Sequence, residues 1–106
     1  MKKIIDLIDF KDGNLDYNDI QLTLDKPLNE QLENLKEDML QVAYKNDKYV
    51  LDVGWYPEFD QNGRFITFVI KNYDWNNPFL KLESKSIEKL INDINFAIRA
   101  ISDQCK

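Results

Sequence analysis

Asp74, Glu83 and Lys85 are the residues whose types and order come closest to a catalytic set. An Asp followed by Glu-x-Lys is what a large superfamily of metal-dependent nucleases uses: the two acids hold a divalent ion and the ammonium sits beside the attacking water. A strand that runs into a helix cap also carries Glu and Lys on its wet face, and this second reading is preferred here. Fourteen Lys plus Arg stand against nineteen Asp plus Glu, a net charge of −5 that repels a phosphate backbone. Asp52, Glu58 and Asp60 form a second acidic group around a turn. A calcium loop needs about 6–8 oxygen ligands at regular spacing, and that pattern is missing, so these are read as solvated acids and no metal is assigned. Asp52 is the exception, because a carboxylate inside a β-rich run has to face water, meet a cation or be held for function.

Histidine is absent from the whole chain. That removes the commonest general base at neutral pH, the commonest metal ligand and every Ser-His or Cys-His nucleophile pair. The expectation is a protein that is not an enzyme and that uses no cofactor. Gly54-Trp55-Tyr56-Pro57 and Tyr73-Asp74-Trp75-Asn76-Asn77-Pro78 instead place large aromatics beside acids and turn formers. Trp and Tyr are enriched at binding hot spots, although each Trp singly is as well explained as the rim of a small core.

The elements that must position these residues follow from periodicity. With 106 residues, 43% of them hydrophobic, the chain is expected to close one core, and no linker or repeat divides residues 1–106. Ile20, Leu22 and Leu24 alternate with polar residues, and with the apolar first ten residues they predict an N-terminal hairpin turning at Asp12-Gly13. Asp25 and Pro27 predict the start of a helix over about 27–37, carrying Leu28, Leu32 and Leu35. Residues 39–45 fit either period; a strand is preferred because Lys45-Asn46-Asp47-Lys48 is turn chemistry.

Strands are predicted over 49–56 and 64–71, joined by a tight turn at Asp60-Gln61-Asn62-Gly63 in which Gly63 would take the left-handed conformation. The second strand is apolar on both faces and is expected to be central. A shorter strand is predicted over 79–83. Ser86 then caps a long amphipathic helix whose stripe is Ile87, Leu90, Ile91, Ile94, Ala97, Ile98 and Ile101. The expected fold class is α+β: an antiparallel β-meander packed against this helix and a shorter helix in the N-terminal half.

No apolar run reaches the length of about 20 residues that spans a membrane, and Asp6 and Asp9 interrupt the first apolar stretch before a signal core forms. Cys105 has no second cysteine with which to pair, which suits a reducing compartment. The expected location is the cytoplasm.

Asp52-Val53-Gly54-Trp55-Tyr56-Pro57-Glu58, the turn through Asp60 and Gly63, the strand Phe65 to Lys71, and Asp74-Trp75-Asn76-Asn77-Pro78 together resemble a family of small bacterial immunity proteins. The likeness continues weakly through Glu83-Ser84-Lys85-Ser86 and covers about half the chain. These proteins accompany the toxins of contact-dependent growth inhibition and related polymorphic toxin systems. The resemblance implies a non-enzymatic cytoplasmic protein that binds and blocks the C-terminal toxin domain delivered by a neighbouring cell, with a basic nuclease as the toxin that an acidic inhibitor would suit. It implies neither a nucleic-acid nor a membrane partner. The contact residues expected from the acidic and aromatic pattern are Asp52, Trp55, Tyr56, Glu58, Asp60, Tyr73, Asp74 and Trp75, arranged as two patches. A carboxylate-dependent, nuclease-like enzyme and a non-catalytic adaptor or oligomerisation module are the alternatives.

Overall fold

The computed structural model describes residues 3–104. Cys105, on which the compartment expectation rests, lies outside them. Five antiparallel strands form one sheet in sequence order: β1 (Asn14–Asn18), β2 (Leu40–Tyr44), β3 (Tyr49–Tyr56), β4 (Arg64–Lys71) and β5 (Leu80–Ser84). The helix α1 (Ile87–Gln104) follows and packs against β3, β4 and β5. The α+β meander is therefore present, and residues 40–44 are strand as preferred.

The period-2 alternation of β3 divides the sheet into two faces. Tyr49, Leu51, Val53 and Trp55 point into the core with Leu40, Val42 and Tyr44 of β2 and Phe65 and Val69 of β4. Helix α1 starts as its sequence indicates: the Lys89 N–H donates to Ser86 Oγ at 3.1 Å, and Glu88 lies in the first turn. Ile87, Leu90, Ile94, Ala97, Ile98 and Ile101 are buried, and Ile91 is partly buried against the same core. Asp93 is buried within this stripe, where its Oδ1 accepts from Lys89 Nζ at 2.5 Å.

The N-terminal third departs from expectation. In place of a hairpin, the chain makes a 3-10 turn at Ile4–Leu7 and a single bridge between Lys3 and Thr23, and the first strand is the exposed Asn14–Asn18. The alternation of Ile20 and Leu22 does reflect burial, but among the described residues the backbone of this segment meets the N-terminus only through that bridge and the Ile4 N–H bond to the Leu22 carbonyl at 3.0 Å. A side chain satisfies the backbone beyond it: Gln31, itself buried, accepts from the Thr23 N–H through Oε1 and donates through Nε2 to the carbonyls of Thr23 and Lys26.

The same inward turn of Gln31 breaks the helix expected over 27–37. Only the 3-10 turns Leu28–Glu30 and Leu32–Asn34 form, and neither has a side-chain cap. Beyond them the carbonyls of Leu35 and Lys36 accept from Phe59 and Trp55, so the chain runs beside β3 and cannot continue a helix.

β4 is an interior strand as expected, paired with β3 and β5 and buried on both faces, Phe65 and Val69 on one and Ile66 and Ile70 on the other. One further expectation is corrected. Gly63 does not take positive φ; the left-handed residue of that connection is Phe59. Gly63 is required for space, because a Cβ there would lie 2.7 Å from the Trp55 indole nitrogen and 2.6 Å from the Tyr56 carbonyl oxygen.

Candidate binding face

The face of the sheet turned away from α1 carries the chemistry. Register sets one row across all five strands, Tyr17–Gln41–Asp52–Phe68–Lys81. Ala43–Val50–Ile70 flank it on one side and Gly54–Ile66–Glu83 on the other. Asp52 is thus the middle residue of the middle strand, with apolar neighbours on both flanks.

A second acid is brought beside it by a backbone irregularity. The Met39 N–H donates to the Val53 carbonyl at 3.0 Å and the Trp55 N–H to the Lys36 carbonyl at 2.8 Å, so Glu37 and Asp38 bulge out opposite Gly54. A Cβ on Gly54 would collide with the Glu37 carbonyl, and glycine is the residue that admits this approach. The bulge places Asp38 at a hollow of about 300 Å³ that is also lined by Gln41, Asp52, Tyr56, Phe68, Ile70 and Trp75. A neighbouring hollow of about 270 Å³ shares Asp38, Gln41 and Asp52 and reaches Tyr17 and Leu40.

The electrostatics follow from this placement. Burial pushes the Asp52 carboxyl up from its ordinary 3.8 to about 6; the Asp38 charge adds to the rise and the Gln41 amide opposes it. Burial also raises the Tyr56 hydroxyl, helped by Asp52, Asp38 and Glu37. Among the described residues neither Asp52 nor Asp38 joins an ion pair, whereas Asp9, Asp12, Asp19, Glu83 and Asp93 each meet a lysine or arginine. The row's own cation, Lys81, sits 6.0 Å from the centre of the Phe68 ring and 4.0 Å from Glu83.

Of the eight residues expected from sequence, Asp52, Tyr56 and Trp75 line this face together. Tyr73 and Asp74 belong to the same β4–β5 connection as Trp75 and are exposed; Asp74 accepts from the Asn77 amide. Glu58 and Asp60 are exposed beyond the end of β3, where an Asp60 carboxylate oxygen accepts from the Asn62 N–H. Trp55 lies apart from this face, in the core: it is 2% exposed, donates from its indole N–H to the Asp60 carbonyl at 2.7 Å and packs edge-to-face on Phe65.

Tyr17, Asp38, Gln41, Phe68 and Ile70 were missed. Phe68 and Ile70 were legible as one face of an apolar strand, but only register shows that Asp52 shares it. Asp38 carries no signal without the bulge. The nuclease-like set is dispersed among separate partners, since Glu83 pairs with Arg64 while Asp74 holds Asn77. Among the described residues no three His, Cys, Asp or Glu side chains are grouped to hold a metal ion, and no helix is long and apolar enough to cross a membrane.

The chain matches no family model, no curated protein and no solved structure.

Proposed function

We propose that this chain is an immunity protein of a contact-dependent growth inhibition system, which binds a basic toxin domain and blocks it through the open sheet face. The observation that carries the reading is the pair Asp52 and Asp38, which among the described residues join no ion pair, at a hollow walled by Tyr56, Phe68, Ile70 and Trp75. Holding a partly buried carboxylate without a counter-charge opposes folding, and a basic partner relieves that penalty on binding. The net charge of −5 speeds encounter with such a partner. The resemblance of residues 52–78 to immunity proteins supplies the biological setting.

Co-expression with any toxin domain that proves to be encoded beside this gene is the direct test. The expected result is co-purification of the two chains and growth of cells that the toxin alone arrests. Absence of both binding and protection would refute the reading. Metal-dependent turnover of nucleic acid by the chain itself would favour the nuclease alternative.

A further inference from the structure

The proposed function leaves the partner's contact group unspecified, and the open face narrows it. We infer that the hollow formed by Asp52, Asp38, Tyr56 and Trp75 receives an arginine side chain presented by the partner. This inference rests on the reading above and names the group at its centre.

The walls decide between the cations. A lysine ammonium is compact and strongly hydrated, so entry into a hollow floored by Phe68 and Ile70 strips water that these apolar side chains do not replace. A guanidinium is planar and weakly hydrated. It stacks on an aromatic face while its edge donates to carboxylates. Trp75, 48% exposed, offers an aromatic surface at the rim, and Asp52 and Asp38 provide acceptors from two separate segments.

The size agrees. About 300 Å³ is the lower end of what small-molecule sites enclose, enough for one long side chain. Among the described residues no lysine or arginine lines the hollow; the cation in the row, Lys81, lies over the Phe68 ring beside Glu83, which also holds Arg64. Calcium is a poorer occupant, since two carboxylates fall short of its usual ligand set of about 6–8 oxygens and among the described residues no three His, Cys, Asp or Glu side chains are grouped to hold a metal ion. A nucleic acid could stack a base on Trp75, but its phosphates would meet Asp38, Asp52 and Glu37.

The test uses the full chain, isotopically labelled, titrated with N-acetyl-arginine methylamide and with the matching lysine and citrulline compounds. The arginine compound is expected to shift the resonances of Asp52, Gln41 and the Trp75 indole at millimolar concentration. Lysine should do so more weakly and the uncharged citrulline not at all, and Asp52→Asn should lose the response. Equal shifts with citrulline, shifts scattered over the acidic surface, or an unchanged response in Asp52→Asn would each overturn the inference.

Measurements with the toxin domain separate the two proposals. Asp52→Asn should weaken its binding at least about thirtyfold, as for a charge pair removed from a desolvated site. Localised arginine binding without toxin binding would sink the immunity reading and leave the hollow's preference standing. Toxin binding that is indifferent to Asp52→Asn would do the reverse.

Discussion

Replacing Asp52 by Asn should stabilise the protein at neutral pH. The carboxyl is raised from 3.8 to about 6, mainly by burial and then by Asp38, so between these values the folded chain holds a proton that the unfolded chain has lost. The stability that this proton contributes is fully present below about pH 4 and is lost as pH rises through about 6. At about 1.4 kcal/mol per tenfold change the interval corresponds to about 3 kcal/mol, and partial exposure of the carboxylate reduces the expected effect to about 1–2 kcal/mol. Other groups facing this position are Asp38 and Glu37 in the bulge, Tyr17 on β1, Tyr56 on β3 and Lys81 on β5, all unchanged in the variant. Urea denaturation of both proteins from pH 4 to pH 8 isolates the one group. The variant's advantage should be near zero at pH 4, grow through pH 6 and level off above pH 7. Asp19→Asn is the control of opposite sign, because Lys36, 2.7 Å away, holds the Asp19 carboxyl below its usual range. A pH-independent difference would show that folding does not raise the Asp52 carboxyl, and a loss of stability in Asp52→Asn at neutral pH would show that Asp52 meets a cation in the folded chain; either result would remove the basis of the proposed site.

Ile94 is fully buried on α1, and Ile94→Ala should lower the unfolding free energy by about 2–5 kcal/mol in the same denaturation assay. Gly54→Ala forces a methyl group against the Glu37 carbonyl, at a cost of about 1–3 kcal/mol, and by displacing Asp38 it should lower the Asp52 titration midpoint measured by carboxyl NMR. The two tryptophans should behave oppositely: Trp75→Ala should change stability by less than about 0.5 kcal/mol and remove the iodide-quenchable part of the fluorescence, whereas Trp55→Phe should destabilise through the lost indole hydrogen bond to Asp60. Purified protein is expected to hydrolyse neither DNA nor RNA with magnesium or manganese, and turnover that disappears in Asp74→Ala or Glu83→Ala would revive the nuclease alternative.

The elements that were legible are those in which local pattern and tertiary contact agree. β3, β4 and α1 announce themselves because Leu51, Val53 and Trp55 recur every second residue and Leu90, Ile94, Ile98 and Ile101 at helical spacing, and the core takes up those same residues. Residues 27–37 mislead because Leu28, Leu32 and Leu35 satisfy a helical period while the backbone answers to demands from elsewhere. Gln31 must turn inward for Thr23 and Lys26, and the carbonyls of Leu35 and Lys36 are taken by Phe59 and Trp55. A side chain that turns inward to serve the backbone five and eight residues earlier leaves no periodic trace. The site was half legible for a related reason. Asp52, Tyr56 and Trp75 stand out by residue type, but Asp38 joins them only through a bulge that depends on the missing side chain of Gly54. Trp55 was nominated for its type and proved to be core because parity along β3 places it with Leu51 and Val53, which the strand pattern already indicated.

The distribution of apolar burial on the open face bears on the strength of any complex. Val50, Ile66 and Ile70 are already shielded within the folded chain, so the face does not need a partner to hide them, and the isolated protein can stand as a folded unit. What remains accessible is aromatic and charged: Tyr17 and Trp75 at its margins, Tyr56 and Phe68 half-covered, Asp52 and Asp38 between them, and Lys81 beside Glu83 on β5. Apolar area buried on association is therefore modest, and a tight complex has to draw on the desolvated charges at the centre of the face. Such charges discriminate strongly, because an apolar or acidic group offered to Asp52 would leave a carboxylate buried without a counter-charge. The position that weakens the fold at neutral pH is thus the one that would select the partner, and replacing it should give a more stable protein that binds less well.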